Sequence, residues 1–121
     1  MGQNNKHLII LITILISCLY ACAVKRTLPT CYKDNTPYCT LNGAFRGKWY
    51  DYYKVGLSCM EGYCYDKAIE SFQHAINKRH ADQYLARSYG MHFIDYFPHR
   101  ESGIAWAGES NIYDYNQYVR R

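Results

Sequence analysis

Cysteine and histidine are the residues here whose chemistry could define a function, and the chain holds six of the first and five of the second. Cys18 and Cys22 fall in and just after an apolar run near the start, Cys31, Cys39, Cys59 and Cys64 are spread over the next stretch, and His74, His80, His92 and His99 come after them. Cys59 or Cys64 beside one of the histidines would be a nucleophilic pair, with the imidazole taking the thiol proton. Zinc ligation is a second use, but Cys31 with Cys39 and Cys59 with Cys64 do not have zinc-site spacing. Pairing of thiols as disulfides is a third, open to a protein in an oxidising compartment. No glycine-rich phosphate loop, Gly-x-Ser-x-Gly elbow or His-Glu-x-x-His helix accompanies these residues. The expectation is therefore no enzyme, no metal and no cofactor.

The start of the chain supplies the compartment. Residues 1–7 are short and polar and carry Lys6, while residues 8–19 are almost wholly apolar, the layout of a secretory signal peptide. The run closes on Leu19-Tyr20-Ala21-Cys22, which resembles the lipobox of bacterial lipoproteins. That resemblance implies a signal peptide over 1–21, lipid on Cys22 and a mature chain held in the bacterial cell envelope. Leu15-Ile16-Ser17-Cys18 fits the same pattern, so Cys18 is the alternative. Cutting before Cys22 leaves Cys31, Cys39, Cys59 and Cys64, an even number for disulfides, whereas cutting before Cys18 leaves an odd thiol. Ala23 stands where such lipoproteins carry an aspartate for inner-membrane retention, which points to the outer membrane, facing the periplasm. A retained transmembrane helix over 8–24 is the rival reading, at the lower length limit for spanning a bilayer.

Cleavage leaves about 100 residues, enough for one small domain. The charge of the whole chain is +4, too mild for a nucleic-acid signature. Residues 22–47 hold Pro29, Pro37, Gly43 and Gly47 with little periodicity and read as a tether and an irregular N-terminal cap carrying two cysteines. Four cysteines allow three pairings. Cys31 to Cys39 with Cys59 to Cys64 is the simplest, each closing a short loop; cross-pairing would staple the cap onto the first repeat-like unit beyond residue 48.

From residue 49 onward the chain reads as helical. Along 65–80 the apolar residues fall at Tyr65, Ala68, Ile69, Phe72, Ala75 and Ile76, the rhythm of one helical face. Gly56, Ala68 and Ala75 are small residues set among large ones, as two close antiparallel helices require. Trp49, Tyr52, Val55, Gly56, Cys59, Tyr65, Ala68, Phe72 and Ala75 have the spacing of a tetratricopeptide repeat, a 34-residue helix-turn-helix unit. The rhythm continues through Ala81, Leu85, Tyr89 and Phe93. Residues 89–104 also look like a linker between repeats in exported bacterial tetratricopeptide proteins. The resemblance implies an all-α fold of tetratricopeptide-like hairpins forming a short solenoid over 48–121. Its parts would be a first repeat at about 49–82, a linker helix at 83–95 with Asp95 capping the next helix, and a degenerate second repeat at about 96–121 whose last helix starts near Ile112.

By the same resemblance the partner-binding groove is lined by Tyr50, Tyr53, Leu57, Met60 and Glu61, with Tyr52 turned into the core. An aromatic, methionine-bearing strip suits a peptide or amphipathic helix. The expected function is a lipid-anchored adaptor or scaffold that binds a protein or peptide, with self-association as a further expectation because so few repeats bury little surface. The alternative is a shortened piece of a larger exported repeat protein with a structural or self-assembly role.

Overall fold

The computed structural model describes residues 2–21 and 28–120. Along them run α1 (Gly2–Ala21), the strands β1 (Cys31–Lys33) and β2 (Thr36–Tyr38), the helices α2 (Trp49–Glu61) and α3 (Tyr65–Lys78), the strands β3 (Gln83–Tyr89) and β4 (His92–Tyr96), and α4 (Pro98–Val119). The two pairs of strands form separate antiparallel two-stranded sheets. The architecture is thus mixed α/β, which overturns the expected all-α solenoid.

The helical hairpin expected from residue 49 onward is α2 and α3. Gly56 makes their close approach feasible, because a Cβ there would lie 2.5 Å from the Phe72 ring. The turn between them carries a backbone hydrogen bond in which Cys64 N–H donates to the Cys59 carbonyl at 3.0 Å. At the start of α2 the buried Asp51 carboxylate accepts from the amides of Arg46 at 2.9 Å and Lys48 at 3.1 Å, satisfying donors that lead into the helix. The cap is therefore fixed to the start of α2.

Residues 83–95 are not a linker helix. They are β3, a turn and most of β4, paired with Ala86 opposite Ile94 and Tyr89 opposite His92. A four-residue spacing of apolar positions is even, so Leu85, Tyr89 and Phe93 satisfy a strand's period of two as readily as a helical face. Aromatic and β-branched content favours the strand, and Gly90, at φ +53°, opens a two-residue turn that a helix could not accommodate. Asp95 lies within β4 and caps no helix; its carboxylate accepts the Leu85 amide at 3.1 Å. Pro98 does open a helix, its fixed φ suiting the first turn. That helix runs unbroken to Val119, so the second hairpin expected within 96–121 is absent. Nothing between Ala105 and Val119 supplies a proline or a turn-forming pair to interrupt it.

Both disulfides are crossed: Cys31 joins Cys64 and Cys39 joins Cys59. The local pairing gives way because β1 and β2 stack across the α2–α3 turn, where the Tyr38 ring fills the space over Gly62. The cap is stapled to both helices. The core is an aromatic cluster in which Trp49 and Tyr53 lie edge-on to Tyr96 at 4.6 and 5.0 Å and Phe72 packs on Tyr53. Tyr96 is fully buried and its hydroxyl donates to the Arg79 carbonyl at 2.7 Å. Helix α3 packs on α2 and on α4, and is the central layer.

Candidate binding groove

The residues expected to line a groove on α2 do not make one open face. Tyr53 is a correction: it is buried at 3 % exposure, and its hydroxyl accepts the Phe97 amide at 3.3 Å. Tyr52, expected in the core, is half-buried, edge-on to Phe45 at 5.0 Å and stacked on His74 at 4.9 Å. Leu57 and Met60 are half-buried against the core, and Glu61 is exposed. Tyr50 sits beside Tyr89, ring centres 5.8 Å apart, in a cleft of about 210 Å³ shared with Leu41, Lys54 and Arg46. The physical reason is the staple. The Cys39–Cys59 bond holds the cap against α2, and β4 takes the Tyr53 side.

A larger groove, about 770 Å³, opens instead between α3 and α4. Its apolar surface comes from Ile69 and Ile76 of α3 and from Trp106 of α4, which stays 58 % exposed. The apolar face of α3 is wider than α4 can cover, because Gly103 presents no side chain and a Cβ built there would meet nothing within 4 Å. Two carboxylates, Asp66 and Glu70, stand along the groove, and no lysine or arginine is among the described residues that line it. His74, one turn from Glu70 at 3.9 Å, and His99 complete its polar wall.

His99 is held by Asp82, whose carboxylate lies 2.7 Å from Nδ1 and also accepts the His99 amide at 3.4 Å. A carboxylate against Nδ1 orients the ring and turns Nε2 away from Asp82. His80 lies alongside, ring centres 5.1 Å apart. Cys59 and Cys64, the cysteines considered for a nucleophilic pair with histidine, are both in disulfides. Among the described residues no group of three or more His, Cys, Asp or Glu side chains is placed to hold a metal ion.

Signals for the groove were present in part. Ile69 and Ile76 belong to the apolar face read along 65–80, but nothing local says that their outer edge stays uncovered. Cys22 lies outside the described residues, and of the Cys18 side chain nothing is described, so the lipid site is a matter of sequence alone. In α1 every described side chain from Gly2 to Ser17 is exposed, including Leu8, Ile9, Ile10, Leu11, Ile12 and Leu15. No helix among the described residues is long and apolar enough to cross a membrane. No family model, no curated protein and no solved structure matches the chain.

Proposed function

We propose that this chain is an exported protein of the bacterial envelope, anchored by lipid on Cys22, that acts as a protein-binding adaptor. The observation that carries the binding role is the groove between α3 and α4. It leaves Ile69, Ile76 and Trp106 facing solvent in a channel wide enough for side chains of a partner. Export rests on the polar start, the apolar run and the Leu19-Tyr20-Ala21-Cys22 sequence, and agrees with two disulfides in a small domain. The likeness to tetratricopeptide repeats is kept for the α2–α3 hairpin alone.

Two measurements test this. Intact mass of the protein from bacterial membranes should match acylated Cys22 to Arg121, with four thiols alkylated only after reduction; an unprocessed mass beginning at Met1 sinks the lipid anchor. A photo-crosslinking residue at Asn77, on the rim of the groove, should capture a discrete partner in the envelope, and Trp106→Glu should abolish the adduct. Capture that survives Trp106→Glu would place the contact elsewhere.

A further inference from the structure

We infer that the segment occupying the α3–α4 groove is a cationic amphipathic helix or peptide, with apolar side chains on the Ile69, Ile76 and Trp106 surface and lysine or arginine beside Asp66 and Glu70. The inference rests on the groove being the binding site and adds the chemistry of what it binds. Its warrant is a local reversal of charge. The chain as a whole carries +4, yet the described lining of this groove holds two carboxylates and neither a lysine nor an arginine. An anionic segment would meet Asp66 and Glu70 with no lysine or arginine among the described lining to offset them, whereas a cationic one is both attracted and steered.

Both acids are exposed, and among the described residues Glu70 has His74 beside it, at 3.9 Å. Asp66 lies in the first turn of α3. The apolar half of the recognition is set by shape. Gly103, beside Trp106 in the lining, leaves open space that a bulky aliphatic side chain of the partner can occupy, because a Cβ there would meet nothing within 4 Å.

The test uses the full chain in zwitterionic nanodiscs, disulfides intact, with the crosslinker at Asn77 and two synthetic helical peptides. The peptides share one leucine stripe and differ only in carrying lysine or glutamate on the polar face. The lysine peptide should half-saturate crosslinking at about tenfold lower concentration, the factor that ~1.4 kcal/mol represents. Asp66→Asn with Glu70→Gln, both at exposed positions, should erase that preference, with far-UV helicity read alongside to confirm that α3 persists. Equal capture of both peptides, preference for the glutamate peptide, or a preference untouched by the double substitution overturns the charge assignment and leaves the groove itself standing. Capture of neither peptide overturns the groove as a binding site, and with it this inference.

Discussion

Two glycines on α4, Gly103 and Gly108, do opposite work. A Cβ at Gly103 would enter open space, whereas one at Gly108 would lie 2.5 Å from the Tyr65 ring. Gly103→Ala should therefore stabilise the fold by roughly 0.5–1 kcal/mol, the helix-propensity difference, while narrowing the groove. Gly108→Ala should destabilise it by about 1–3 kcal/mol, as overpacking does. Urea melts of both variants would decide; equal effects would mean that α4 does not pack on Tyr65 as described. Single residues were partly legible in the sequence. Period 3.6 shows that Tyr52 and Tyr53 cannot both face one way, but which of them is buried depends on where β4 lies. Tyr96 comes from 43 residues further along the chain than Tyr53 and chooses Tyr53 for the core.

At the level of elements, the crossed disulfides tie β1, β2, α2 and α3 into one unit. Replacing Cys39 and Cys59 together by serine removes a bond spanning a sequence separation of 20 and should cost about 3 kcal/mol, with a similar loss for Cys31 with Cys64, separated by 33. Chemical denaturation of each double variant reads this. A cost near zero would show that the cap contributes nothing to the helices. The elements themselves were read unevenly. Helices α2 and α3 were legible because their apolar rhythm runs over complete turns and is bracketed by Gly62. The strands β3 and β4 were not, because spacings of four satisfy both periods, and the deciding feature is the turn at Gly90. Helix α4 differs from the expected hairpin because no proline or turn-forming pair near Ile112 interrupts its helical course.

At the scale of the whole molecule, the core is held by phenols that resist ionisation. Burial, aided by the Asp82 carboxylate, pushes the Tyr96 hydroxyl up to about 12, and burial raises Tyr53 as well. A raised folded value means that the folded state keeps protons which the unfolded state gives up near pH 10. This contribution is complete below pH 10 and is lost as pH rises toward 12, at no more than about 1.4 kcal/mol per pH unit for each phenol. Urea midpoints should therefore be insensitive to these groups at pH 8 and fall between pH 10 and 11, with a shallower fall in Tyr96→Phe; a fall of equal steepness in that variant would exclude Tyr96. What the sequence determined alone is what chain neighbours decide: the apolar start, the four cysteines spread over 31–64, the helical hairpin at α2 and α3, and Pro98 at the start of α4. What only the tertiary structure decided is how those pieces meet: the crossed disulfides, Tyr53 buried in place of Tyr52, and the open groove beside Trp106. Periodicity specifies which residues share a face, but coverage of that face depends on elements distant in the chain, and the closeness of Cys31 to Cys64 exists only once the cap has folded across the turn.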